Sequence, residues 1–200
     1  MSGSDNIILA GFMGSGKSTV AEIVASRLGI VVADTDDLIV EEAGMEIPEI
    51  FGREGETGFR NREEEMVRRV TSDGERKVIA LGGGALLREA NREVLKAAGT
   101  LFYLKVSAEV ATERLASVTD RPLLKGRPLE ESVRELLAER VEVYESCCEH
   151  EIDTDGLTAE EVAERVVSIL EPGPEGAEEG AKKGANKGAK GKKSKNQRAR

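Results

Sequence analysis

The 200-residue sequence has no tryptophan, a single histidine (His150), and only four phenylalanines and two tyrosines. A protein that grips nucleic acid needs a basic face interleaved with aromatics, and this composition gives little material for one. Cysteine is as sparse: Cys147 and Cys148 are adjacent, so they form neither a framework of bridges nor the spaced pairs of a zinc site. Both read as incidental thiols in a reducing, cytoplasmic setting. No stretch approaches the ~20 consecutive apolar residues that span a bilayer, and the opening MSGSDN has no basic segment ahead of an apolar one. No membrane association is expected.

Beyond Pro172, valine, isoleucine, leucine and aromatics are missing altogether. Such a segment buries too little apolar surface to offset the entropy of ordering, so residues 171–200 are expected to be a disordered Gly/Ala/Lys tail. The tail carries nine Lys or Arg against four Glu, a net +5, which leaves −14 for residues 1–170. A body of that charge is a poor partner for nucleic acid, and a tail without a folded reader gives only salt-sensitive, sequence-blind binding. Residues 1–170 form one domain's length of chain and should share one core.

What is present is a regular alternation. Short apolar runs at Ile7–Ala10, Ile30–Ala33, Val78–Leu81 and Leu101–Val106 are too brief for helices and read as strands, and Glu151–Asp153 reads as a last short strand. Between them, helical spacing is seen after Ser18, over Leu38–Ala43 and Ile47–Phe51, over 56–71, Glu89–Ala98, Glu130–Cys147 and Ala159–Leu170. Ser107 is placed to cap a helix reaching about Ala116, and Thr158 with Glu161 has capping-box spacing. Strands alternating with helices imply a parallel sheet of about five strands covered on both faces, a three-layer α/β fold. Residues 117–129, with Arg121, Pro122, Gly126, Arg127 and Pro128, are rich in breakers and basic groups and read as a mobile lid.

The strongest motif is Gly11-Phe12-Met13-Gly14-Ser15-Gly16-Lys17-Ser18, a G-x-x-x-x-G-K-[ST] P-loop between a strand and a helix. Gly14, Ser15, Gly16 and Thr19 should turn backbone N–H groups toward phosphate oxygens at a helix N-terminus. Lys17 should neutralise the β- and γ-phosphates of ATP, and the Ser18 hydroxyl should ligate Mg²⁺. Asp34-Thr35-Asp36 leaves the next strand at the same sheet edge. Read as extended, it points both carboxylates one way, with one free to face the metal and the other an acceptor hydroxyl. From spacing alone, Arg60 on a charged helix and Arg140 beside Glu139 and Glu142 read as readily as solvated surface charges.

Six segments taken together resemble the shikimate kinase family. They are GxxGSGKST at 11–19, DTDxxI at 34–39, GExxFRxxE at 55–63, LGGGA at 81–85, RPLL at 121–124 and R-x-x-x-Y at 140–144, in family order across nearly all of residues 6–170. The resemblance implies a P-loop NTPase fold similar to nucleoside monophosphate kinases. It implies transfer of the ATP γ-phosphoryl group to the 3-hydroxyl of shikimate, with Mg²⁺, in aromatic amino-acid biosynthesis. It also implies roles. Asp36 would orient or deprotonate the hydroxyl, and Asp34 would act on the metal through water. Arg60, Arg140 and the Gly82, Gly83 and Gly84 backbone would hold the acceptor, within a binding segment at about 34–63, with Glu63 bracing the arginines. Arg121 would close over the phosphates as a catalytic group beside Lys17 and Asp36, and Arg114 would lie near adenine. A monomer is expected.

Gly58, just before Phe59, and the polar Glu-Ser-Cys-Cys after Tyr144 depart from the family pattern. Two other functions compete: a kinase of another polyol acid such as gluconate, and a non-catalytic nucleotide-dependent binder acting through the tail. Neither requires the later motifs.

Overall fold

Segments of four to seven residues become the strands, the first and third buried along their whole length and the last, His-Glu-Ile-Asp, burying only its isoleucine, and the helical spacings become the helices around them. A computed structural model describes residues 5–116, 123 and 128–171. The order is β1 (Asn6–Ala10), α1 (Lys17–Leu28), β2 (Val31–Asp34), α2 (Thr35–Ala43), α3 (Ile47–Ser72) and β3 (Lys77–Ala80). There follow α4 (Glu89–Ala98), β4 (Gly99–Lys105), α5 (Ala108–Leu115), α6 (Leu129–Ala138), α7 (Val141–Cys147), β5 (His150–Asp153) and α8 (Ala159–Leu170). The chain divides into a compact unit over Met1–Val166 and a second over Val167–Arg200. In the second unit only residues 167–171 are described, and 167–170 continue α8. The expected tail at 172–200 and most of the expected lid, 117–122 and 124–127, lie outside the described residues.

The five strands form one parallel sheet in the order β2-β3-β1-β4-β5, flanked by helices. Because β3 lies between β1 and β2, the loops that follow all three emerge side by side at one edge. Leu9 and Asp34 both sit in register with Ala80. That edge is where an open α/β sheet holds its ligands. Fully buried Ile8, Phe12, Ile39, Ile50, Val67, Ile79, Leu86 and Leu101 belong to the core cluster that fixes the helices against the sheet.

The caps form as the sequence suggests. Ser107 accepts from the Val110 N–H at 3.2 Å, and Thr158 with Glu161 closes a reciprocal box at 2.8 and 3.2 Å. The separate helical stretches expected over Ile47–Phe51 and 56–71 are present: within α3 they meet at Gly55, whose backbone is non-helical (φ 69°, ψ −179°), a conformation that side chains avoid. The kink also accounts for Gly58: a Cβ there would lie 2.4 Å from Glu54 Cβ. Two expectations need correction. First, the helix expected over Glu130–Cys147 is broken at Arg140 into α6 and α7. Second, Asp34-Thr35-Asp36 is not extended throughout. The strand ends at Asp34, which caps α2 by accepting the Asp36 N–H at 3.0 Å, so Asp36 sits in the first helical turn.

Asn6, 1% exposed, joins the three central strands at their starts. Its side chain accepts from the Lys77 N–H at 3.0 Å and donates to the Ala98 carbonyl at 3.1 Å. Asn6→Ala removes both partners from buried backbone groups and should lower unfolding free energy by about 2–4 kcal/mol. Urea denaturation measures it, and a change below about 0.5 kcal/mol would contradict this role.

Candidate active site

The loop between β1 and α1 is drawn around a cleft. Gly16 caps α1 in the left-handed region (φ 88°), where glycine is at ease, and the first helical residue is Lys17. The Lys17 ammonium donates to the Gly11 and Phe12 carbonyls, each at 3.0 Å, so it lies over the loop. Gly14, Gly16, Lys17, Ser18 and Thr19 line this cleft together with Asp34, Asp36 and Gly83. A row of glycine N–H groups, an ammonium and a helix N-terminus make a site for a polyphosphate. Ser15 is 2% exposed and its hydroxyl has no hydrogen-bond partner among the described residues. The Ser18 hydroxyl donates to Asp34 Oδ2 at 2.6 Å. This all-oxygen pair suits a hard divalent cation that takes its other ligands from water and phosphate. Among the described residues no group of three or more His, Cys, Asp or Glu gathers as a metal cage.

A second cavity opens beside the first. Its polar side is Asp36, Arg60, Glu63, Gly83, Gly84 and Arg140, and its apolar wall is Met13, Ile47, Phe51, Phe59 and Leu123. Met13, Asp36 and Gly83 line both cavities. Phe51 and Phe59 pack with ring centroids 4.8 Å apart. Arg60 and Arg140 are 8% and 4% exposed, so neither is a solvated surface charge. Arg60 donates to Glu63 Oε2 at 2.8 Å and to Glu56 Oε1 at 3.2 Å. Arg140 donates to the Gly83 carbonyl at 3.3 Å and lies 5.8 Å from the Phe12 ring centroid.

Glu63 is fully buried, and its Oε1 has no hydrogen-bond partner among the described residues. Burial pushes its carboxyl up to about 7; Arg60 and Arg140 oppose the shift and the Asp36 charge adds to it. The glycines after β3 make this crowding possible. A Cβ on Gly82 would lie 2.5 Å from Asp36 Oδ1 and 2.7 Å from Glu63 Oε1, and one on Gly84 would lie 2.3 Å from Arg60 Nη1. Gly82 is thus a space-giving residue lining neither cavity, while Gly83 and Gly84 face the second one.

The structure therefore gathers Lys17, Ser18, Asp34, Asp36, Arg60, Gly83, Gly84 and Arg140, residues scattered over more than half the sequence, around two adjoining cavities. Arg114 stands at the loop's other side, donating to the Gly14 carbonyl at 3.0 Å and the Thr154 carbonyl at 3.2 Å. Arg121 lies outside the described residues. Two residues lie within motifs read from the sequence but were given no role there. Thr35, fully buried, ties α2 to β3 by donating to the Ala80 carbonyl at 3.3 Å and accepting the Gly82 N–H at 2.9 Å. Tyr144 donates to the Gly83 carbonyl. Its i, i+4 relation to Arg140 was the signal that could have marked it.

A family model described as shikimate kinase matches residues 13–171. A shikimate kinase of Thermodesulfovibrio yellowstonii is 47% identical over 166 residues, covering 83% of this chain and 95% of that one. Among solved structures, the shikimate kinase of Acinetobacter baumannii in complex with shikimate is 37% identical with a TM-score of 0.80, over 83% of this chain and 92% of that one. A gluconokinase of Sinorhizobium meliloti 1021 covers 92% of this chain and 98% of its own, at 16% identity and a TM-score of 0.54, a likeness of fold alone.

The buried carboxyl predicts a pH signature. Between its ordinary value of 4.5 and about 7, the folded chain holds a proton on Glu63 that the unfolded chain has released. This group's contribution to stability is therefore greatest below 4.5 and is lost as pH rises to about 7. Glu63→Gln should gain on the parent chain across that window, by up to roughly 3 kcal/mol, and hold the gain above it. Thermal or urea unfolding from pH 5 to 8 reads the difference; a constant difference would contradict the assignment.

Proposed function

We infer, since the chain belongs to the shikimate kinase family, that it transfers the γ-phosphoryl group of ATP to the 3-hydroxyl of shikimate, giving shikimate 3-phosphate and ADP. The observation that carries the reading is the shared wall: Asp36 and Gly83 face both a polyphosphate cleft and a cavity holding two buried arginines. Phosphoryl transfer asks for that adjacency, because the attacking and leaving oxygens must lie in line on either side of the moving group.

The roles follow from chemistry. Shikimate is a rigid cyclohexene ring with one carboxylate and three hydroxyls. Arg60 and Arg140 supply planar guanidiniums that bind a carboxylate bidentately, which the −14 charge of residues 1–170 would otherwise repel. Phe51, Phe59, Ile47 and Met13 supply apolar surface for the ring. Asp36, between the cavities, is assigned to orient the attacking hydroxyl and take its proton. Lys17 is assigned to the β- and γ-phosphates, so that developing charge is met by a group already in place. Ser18 and Asp34, the latter through water, are the residues that would hold Mg²⁺. When bound, that ion supplies neutralisation of phosphate charge. Arg121 and the segment at about 117–129 are assigned to closing the site against water, and residues 171–200 to no part of the reaction.

A gluconate kinase would need a cavity for a flexible open chain; the paired arginines would serve either carboxylate, and the apolar wall of Phe51 and Phe59 favours the ring acid. A coupled assay of ADP release should show turnover with shikimate and at least about 100-fold less with gluconate. Asp36→Asn should lower kcat by about 100-fold or more while ATP still binds. Comparable rates with both acids, or loss of ATP affinity with the chemical step intact, would overturn the reading.

A further inference from the structure

Tyr144 lines neither cavity but bonds Gly83, which lines both, and has no part in the reaction as described. It lies on α7, four residues after Arg140, is 2% exposed, and stacks on Tyr103 with centroids 5.0 Å apart and planes at 29°. A buried phenol needs an acceptor, and its hydroxyl donates to the Gly83 carbonyl. Burial pushes that hydroxyl up to about 12 against the nearby Arg140 charge, so it remains a donor at neutral pH.

Gly83 is the backbone position shared by both cavities, and it has no side chain to hold its direction. Two donors meet on its carbonyl, and the Tyr144 hydroxyl is closer than Arg140 Nη1 at 3.3 Å. The Gly83–Gly84 peptide is trans, so the Gly84 N–H points opposite to the Gly83 carbonyl, and fixing one fixes the other. Without the hydroxyl, the guanidinium would be the remaining donor. It would be drawn onto the carbonyl and away from an incoming carboxylate.

We propose that Tyr144 is a positioning residue: its hydroxyl holds the Gly83 carbonyl and thereby sets the Gly83–Gly84 peptide and keeps the Arg140 fork turned to the acceptor. The proposal rests on the reading of Arg140 as a carboxylate-binding residue.

Steady-state kinetics of Tyr144→Phe test it, since the ring and its stacking are kept and only the hydroxyl is lost. The KM for shikimate should rise about 10-fold, with kcat falling less than about 3-fold and the KM for ATP within about 2-fold. Tyr103→Phe, which removes a hydroxyl from the other ring of the pair, should leave all three within about 2-fold. In an Arg140→Ala background, Tyr144→Phe should add less than about 2-fold to the shikimate KM, because the group it positions is gone. Unchanged shikimate KM in Tyr144→Phe would overturn the proposal. So would both KM values rising together with a lowered thermal midpoint, or the full effect persisting without Arg140. An Arg140→Ala chain with normal shikimate KM would overturn the acceptor reading itself and this proposal with it. A silent Tyr144→Phe beside a strongly impaired Arg140→Ala would remove the proposal alone.

Discussion

Four ionisable side chains, Asp36, Arg60, Glu63 and Arg140, line one cavity, three of them less than a tenth exposed. Most of the local architecture depends on satisfying that burial. An ion taken out of water costs several kcal/mol, and its partner recovers this only if the geometry is held closely. The means of holding it come from distant parts of the chain. Glycines after β3 leave room for the carboxylates and the guanidinium, Thr35 pins that turn to α2, and Phe12 lies under Arg140. Glu63 relieves part of the burden by its raised affinity for a proton.

The same constraint shapes the chemistry. Paired arginines less than a tenth exposed favour an anion there far more than they would at the surface, where water and salt screen them. An acidic body can then admit a carboxylate at this cavity. The cleft for ATP is built differently, from backbone groups and a helix end, as suits a polyphosphate that must be released as ADP after each turnover. Asp36 belongs to both environments, which is what a group acting between donor and acceptor requires.

Much of this was legible beforehand, for reasons that differ by element. The P-loop is local in sequence, so its eight residues carry their own geometry, and β1 and β3 are short runs buried throughout. Caps at Ser107 and Thr158 were legible because each needs only residues three apart. The break at Arg140 was not, since Ala138-Glu139-Arg140-Val141 contains no glycine or proline; its guanidinium instead bonds Gly83, 57 residues earlier. The kink at Gly55 was legible as the gap between the helical stretches at Ile47–Phe51 and 56–71, where Gly52 and Gly55 interrupt the period. Asp36 lines both cavities, but its place comes from the helix start that Asp34 caps and not from the extended strand that the sequence suggested. The burial of Arg60 and Arg140 could not be read from a charged segment, because burial is a property of what the sheet edge brings together.

The central claim is that the arginine-lined cavity takes the acceptor's carboxylate and presents its hydroxyl to Asp36. A crystal structure of the chain with shikimate and a non-hydrolysable ATP analogue tests it most directly. The account predicts the carboxylate within hydrogen-bond reach of both Arg60 and Arg140, and the 3-hydroxyl about 3 Å from Asp36 on the side facing the terminal phosphate. A carboxylate bound by neither arginine, or a 3-hydroxyl turned away from Asp36, would contradict it.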